Sequence, residues 1–395
     1  MNFVCLSVSN ERVKQFDYII AGGGASGLQL AYRLVQHPDL SKKSILILEK
    51  DSSKKNDRTW CYWEKDHGEW DELLHAHWDS VEFKSPSHRQ KIDLSPLYYK
   101  MIRSASWYDL IYKTLQNHSN CQIKHQSVTE FKETKEGVVV TTSEGQYVGD
   151  MLFNSIIDWD QMTRQKKYPV LQQHFLGWFI KTQKPEFDAQ TATFMDFDIP
   201  QKKNTRFMYV LPTSPTKALI EYTLFSKELL SREEYEGALK AYLDKKNIAD
   251  YEILEEEFGR IPMTCYPFAR NNTKRVLHIG SAGGWTKAST GFTFKNISKK
   301  TQALVAHLAA NKPLTAFNRK NRFWYYDLLF LDVLADHNSR GSTLFSRMFR
   351  KNKPETIFSF LDDKSSWIQE FNIMRSFPTL LFVKQLWKRL LRSMH

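Results

Sequence analysis

The spacing of apolar positions changes several times along this chain, and each change marks an element. Residues 16–21 (FDYIIA) form a short apolar run that ends in Gly22-Gly23-Gly24. Over residues 26–35 apolar side chains recur at helical spacing until His37-Pro38 stops them, and residues 44–48 form a second apolar run closed by Glu49. Strand, glycine turn, helix and strand within about thirty residues make a βαβ unit. Residues 50–100 read as polar and irregular, with an aromatic cluster at Trp60, Tyr62 and Trp63. A helix is predicted over 106–116, capped by Ser106 with Asp109 three residues on.

Short strands are predicted at 121–125, 128–132, 137–142 and 147–148, the last two turning at Glu144-Gly145, with another buried run at 151–157. From about Tyr168 to Cys265 the strands lengthen and alternate, with one helix near 232–243. Residues 275–279 (RVLHI) return to a buried-strand pattern, followed by Gly280, Gly283, Gly284 and Gly291 and a helix from about Lys295. Beyond Lys312 the chain reads as helical and basic. The expected fold is α/β: a discontinuous Rossmann-like domain over 14–165 and 266–312, an α+β antiparallel substrate domain over 166–265, and a helical region over 313–395.

Composition narrows the classes. Across 395 residues, 42% are apolar and 25% charged, enough for a sizeable core and too apolar for a disordered chain. Aromatic residues reach 14%, which suits an apolar cavity or a membrane surface. No run approaches the ~18 consecutive apolar residues of a spanning helix, so a transmembrane protein is excluded. The balance of 56 Lys+Arg against 44 Asp+Glu, +12, suits polyanions, nucleotide cofactors or anionic lipid. No zinc-finger or RNP motif directs that charge to nucleic acid. Cys5, Cys61, Cys121 and Cys265 lie far apart, and the N-terminal MNFVCLSVSNERVKQ has no apolar signal core, so a reduced, cytoplasmic protein is expected. His75 with His77 and His118 with Cys121 lack companions at zinc spacing, so no metal site is expected.

The βαβ unit carries Gly22-x-Gly24-x-x-Gly27 in the context that makes this fingerprint specific: after a strand, opening a helix, with Glu49 ending the next strand. Gly22 makes the turn, Gly24 admits a pyrophosphate to the backbone, and Gly27 lets helix and strand approach. The helix N-terminus offers N–H groups to phosphate, and Glu49 is placed for a ribose diol. A single NAD module would continue with further βα units. Here a buried strand ending in glycines returns only at 275–284, which favours an extended FAD.

At this point the chain resembles the lycopene cyclases, a branch of the FAD-containing flavoproteins. The resemblance rests on AGGGASGLQLA at 21–31, Arg58-Thr59-Trp60, IID at 156–158, QHFLGW at 173–178, ATFMDF at 192–197, RFMYVLP at 206–212, LIEYT at 219–223, GRIPM at 259–263 and HIGSAGG through STGFTF at 278–294. Two departures stand out: Tyr222 occupies a position often acidic in the family, and Ser281 replaces a flavin-ribityl aspartate of distant relatives. The resemblance implies a redox-neutral ring closure in which the terminal alkene of lycopene or another linear-ended carotenoid is protonated, the next double bond attacks the cation, and a proton is lost. It implies reduced FAD with NADPH as reductant, Arg58 near flavin phosphate or ribityl groups, and Gly283-Gly284 and Thr290-Gly291 near the isoalloxazine. A surface role for Arg58 is the alternative.

Alkene protonation needs a dry acid. Glu221 lies in the apolar run ALIEYTL, where burial would keep it protonated near neutral pH; an outward-facing glutamate on an alternating strand is the other reading. Asp196, between Met195 and Phe197, is the second candidate carboxylate, for acid–base work or for orienting a neighbour. An anionic flavin about 4 Å from a cation contributes about 4 kcal/mol at an effective dielectric of about 20. Each aromatic face adds roughly 0.5–2 kcal/mol; Trp60, Tyr62, Phe207, Tyr209, Trp285, Phe292 and Phe294 are candidate rings.

Val383, Leu386, Trp387, Leu390 and Leu391 share one face of a C-terminal helix, with Lys384, Lys388, Arg389 and Arg392 elsewhere on it. From Arg340 onward eleven Lys+Arg face four Asp+Glu, which places +7 of the +12 here. This pattern suits peripheral attachment to a membrane lipid surface, or a terminal helix packed on the core. The expected activity is carotenoid cyclisation; a redox flavoenzyme of the same fold and a non-catalytic nucleotide-binding protein at a membrane are the alternatives.

Overall fold

The computed structural model describes residues 14–317 and 320–394, with the side chains of 392–394 left aside. Cys5 and the Arg392 side chain therefore lie outside the described residues. Strands Gln15–Ala21 and Ile45–Leu48 pair in parallel with helix Ala25–Gln36 between them. Their sheet runs Cys121–Lys124, Ile45–Leu48, Gln15–Ala21, Gly145–Asn154, Val138–Thr142, Val128–Glu133. The runs expected at 147–148 and 151–157 are one strand, Gly145–Asn154. Its first half pairs antiparallel with Val138–Thr142, and its second half pairs in parallel with Gln15–Ala21 and with the late strand Val276–His278. The late glycine run is thereby brought beside the first one. Helices Ala25–Gln36 and Phe294–Ala309 pack on one face over Leu28, Leu34, Ile297 and Leu304, all buried.

The second sheet runs Tyr251–Thr264, Val170–Thr182, Lys217–Ser226, Thr205–Ser214, Thr191–Asp196, Ser80–Ser85, His88–Asp93. One of its faces is closed by helix Arg232–Lys245, capped by the Ser231 hydroxyl, through Tyr235, Leu239, Tyr242 and Leu243. Beyond Arg322 five helices follow: Arg322–His337, Gly341–Lys351, Pro354–Leu361, Trp367–Ser376 and Thr379–Met394. None of the described helices is long and apolar enough to cross a membrane.

Two local expectations are corrected. Residues 50–100 are not irregular: they form five strands. Thr59–Lys65, Leu74–Trp78 and Leu97–Arg103 make a small separate sheet, and the other two extend the large one. Each is short, and four of the five carry charged residues that make alternation hard to see, but Trp63, Trp78, Phe83 and Tyr99 are buried. The helix expected from Ser106 begins at Ser104, without a side-chain cap. The Ser106 hydroxyl instead donates back to the Arg103 carbonyl at 3.1 Å.

Candidate active site

A cleft of about 680 Å³ runs from the glycine turn to the middle of the second sheet. At its outer end Gly22 holds φ +96°, and Gly27 approaches so closely that a Cβ would stand 2.1 Å from the Gly22 carbonyl oxygen. Gly24 lines the cleft, where a Cβ would meet nothing within 4 Å. Glu49 ends its strand as a buried acceptor. It takes the Gly23 N–H at 2.8 Å, the Asp51 N–H at 3.0 Å and the Lys54 ammonium at 3.0 Å. Burial opposes its charge, but the contacts from Asp51, Lys54 and Gly23 prevail and hold its pKa below the usual range. Arg58 lines the same end with its side chain half exposed.

The late glycines divide. Gly291, at φ +76°, lines the cleft, and a Cβ there would sit 2.0 Å from the Gln173 side-chain oxygen. Gly280, Gly283 and Gly284 stand behind the wall: added Cβ atoms would meet Ser26, the His278 carbonyl and Phe268. Ser281 is the member of that run on the cleft surface. Two buried atoms that face the cleft, Gln173 Oε1 and Thr290 Oγ1, have no hydrogen-bond partner in the protein. An open glycine turn at a helix N-terminus, an anchored carboxylate on the next strand and unpartnered polar atoms further in fit an extended dinucleotide.

At the inner end the second sheet presents a row of residues in register: Tyr209 opposite Glu221, Glu221 opposite Gly177, and Gly177 opposite Glu257. Directly opposed residues share a face, so both carboxylates point the same way with only a glycine between them. A Cβ at position 177 would lie 2.8 Å from Leu219 Cδ1 and 3.5 Å from Glu221 Cγ. Glu221 is buried and accepts a short hydrogen bond from the Thr223 hydroxyl. Burial, then the charge of Glu257, pushes its pKa up to about 8, against the smaller opposing effect of Thr223. Glu257 is also raised by burial, but the Thr59 hydroxyl and N–H and the guanidinium groups of Arg103 and Arg58 oppose this. Two buried carboxylates whose charges oppose each other cannot both ionise cheaply, and burial together with the Glu257 charge favours the protonated form of Glu221.

Of the candidate rings, Trp60, Tyr209, Phe292 and Phe294 line the cleft, with Trp60 stacked on Phe294 at 4.7 Å; Tyr62, Phe207 and Trp285 do not. Tyr99, Tyr108 and Phe175 also line it. Asp196 is not brought to Glu221. It accepts from the Tyr242 hydroxyl at 2.9 Å and the Asp198 N–H at 2.9 Å, beneath helix Arg232–Lys245 on the other side of the sheet. Glu257 is the residue sequence reasoning missed. It sits in the acidic stretch EEEFGR, and only its register with Gly177 separates it from its neighbours.

The fold and this cleft define an α/β flavoprotein-type architecture with a helical C-terminal region. It is similar to a geranylgeranyl bacteriochlorophyll reductase-like protein from Thermoplasma acidophilum: TM-score 0.60, 11% identity, covering 95% of this chain and 99% of that one. A tryptophan halogenase from Shewanella frigidimarina gives TM-score 0.58 and 10% identity over 97% and 94%. A mutant of the halogenase PltM in complex with FAD gives 0.55 and 13% over 88% and 79%. Residues 17–385 match the family described as lycopene cyclase protein, and the chain belongs to that family. It is 25% identical over 264 residues to the lycopene beta-cyclase of Pantoea ananas and 26% identical over 260 residues to that of Pseudescherichia vulneris. The matched segments take in 63% of this chain in both cases, and span 63% and 62% of those relatives' lengths.

Proposed function

We propose that this chain is a lycopene β-cyclase, converting the linear ends of lycopene to β rings by way of γ-carotene to β-carotene. One observation carries the reading. A buried Glu221, its pKa pushed up to about 8, and its partner Glu257 face one cleft that continues to a glycine turn suited to a dinucleotide. The Glu221 carboxyl gives its proton to the terminal alkene. Ring closure moves the positive charge inward, and the proton lost from the new ring returns to the carboxylate pair, so the reaction is an isomerisation. Tyr209, Tyr99 and Phe292 keep water from this end and turn aromatic surface towards the developing charge. Thr223 orients the Glu221 carboxyl, and Thr59 holds Glu257 in place.

Gly22, Gly24, Glu49, Arg58, Gln173, Thr290 and Gly291 are the residues that would hold FAD. Held there in reduced form at the expense of NADPH, it would supply negative charge beside the cation without net electron transfer. The substrate's insolubility favours a peripheral place at a lipid surface.

Expression in a lycopene-accumulating host tests the reading. β-Carotene and γ-carotene are expected from wild type and unchanged lycopene from Glu221→Gln. Unchanged lycopene from folded, flavin-loaded wild type would overturn it. NADPH consumed in proportion to product would instead identify a redox flavoenzyme.

A further inference from the structure

The C-terminal helix Thr379–Met394 docks through Leu381, Phe382 and several polar residues, and turns outward the longer apolar stripe that an amphipathic surface helix normally buries. Three of its polar residues face the protein: Arg389 pairs with Asp332, and Lys388 and Gln385 each reach Asp336 at 2.8 Å. The stripe Val383, Leu386, Trp387, Leu390 and Leu391 points outward, with Trp387 64% exposed. The preceding helix does the same with Trp367, Ile368, Phe371 and Met374. Of eighteen exposed large apolar side chains among the described residues, ten lie between Trp367 and Leu391. Scattered apolar exposure is ordinary, but this concentration is not.

An apolar cavity of about 180 Å³ opens in the same place. Met374, Thr379 and Val383 stand at its outer end, and Phe345, Met348 and Thr290 at its inner end. Thr290 also lines the catalytic cleft, so one residue separates the two spaces. The carboxylate on the cavity wall, Asp327, is already matched: Lys287 lies 3.0 Å from it and the Ser289 hydroxyl donates to it at 2.7 Å. The passage therefore offers a hydrocarbon no uncompensated charge.

Resting on the reading of the cleft as a carotenoid cyclase's, we propose that helices Trp367–Ser376 and Thr379–Met394 seat on a lipid bilayer. The cavity between them and helix Arg322–His337 is the port through which the hydrocarbon end passes to Thr290 and the cleft. Charge selects the bilayer over a second copy of the chain. Arg375 and Lys384 are exposed beside the stripe, and the region from Arg340 on carries +7. Two such surfaces repel each other, whereas anionic lipid attracts both.

The test uses the full-length, flavin-loaded protein with vesicles of equal parts phosphatidylcholine and phosphatidylglycerol. Wild type is expected to sediment with the vesicles. Leu386→Glu combined with Trp387→Glu is expected to lose roughly a hundredfold in partitioning, since two apolar side chains no longer enter lipid. That variant should keep its flavin and still cyclise detergent-dispersed lycopene. Val383→Trp, which narrows the mouth, should sediment like wild type and lose most turnover of vesicle-borne and detergent-dispersed lycopene alike. Wild type left in the supernatant, a double variant that sediments normally, or lipid-free dimerisation through this stripe would overturn the bilayer seat; a fully active Val383→Trp would overturn the port. Wild type that sediments without cyclising any lycopene would instead remove the cyclase reading and leave the lipid contact standing.

Discussion

The two faces of the second sheet are built from alternate residues of the same strands, and they treat buried carboxylates in opposite ways. On the helix-covered face, Tyr222 accepts from Arg206 at 2.8 Å, His174 lies between Tyr235 and Ser226, and Asp196 receives Tyr242. These groups are matched by fixed neighbours; His174, pushed down to about 4 chiefly by burial, stays neutral. On the cleft face Glu221 and Glu257 face each other across a missing side chain. Burial alone does not mark a working acid. Burial beside a like charge, with lone pairs open to a cavity, does.

Glu221→Gln attacks this contrast most directly. It should lower cyclisation by about 10²–10⁴-fold, the range a positioned acid supplies, while flavin absorbance is unchanged. Because the folded pKa of Glu221 lies near 8 and its ordinary value is 4.5, the fold holds a proton that the unfolded chain releases. Its contribution is full below about pH 4.5 and is lost as pH rises through 8. Denaturant titration should show wild type losing stability over that window relative to Glu221→Gln, and turnover should fall above pH 8. Gly177→Ala sets a methyl group 3.5 Å from Glu221 Cγ and against Leu219. A cost of about 1 kcal/mol in stability is expected, with a larger fall in turnover, read from melting and pigment assays on the same preparation. Glu257→Gln removes the negative neighbour, so the alkaline limb of the pH–rate profile should move to lower pH. The smallest effect belongs to the other face. Asp196→Asn should cost about 1 kcal/mol of stability and leave turnover per folded enzyme and its pH profile as in wild type.

Much of this was legible in the sequence where chemistry and periodicity coincide. The fingerprint glycines, Glu49 and Glu221 stand at the ends or centres of apolar runs, and local spacing alone placed them on strands or turns. The five strands within 59–103 were not legible, because charged positions in four of them obscure alternation and one draws its second partner from the remote strand Thr191–Asp196. Glu257 was hidden for a related reason. Glu255, two residues earlier, pairs with Arg103 instead, and a register shift between Phe179 and Ile180 alters the count along the strand. Asp196 misled in the opposite direction: apolar neighbours announced its burial but not which side of the sheet it would face.

The glycine at position 177 ties three distant points of the chain into one unit of selection. Any larger residue there consumes the volume that the two glutamates share, so neither acid can be exchanged freely while the third position stays fixed. In a combinatorial library over 177, 221 and 257, active members should emerge as matched triplets, and single-position preferences measured in isolation should fail to forecast them.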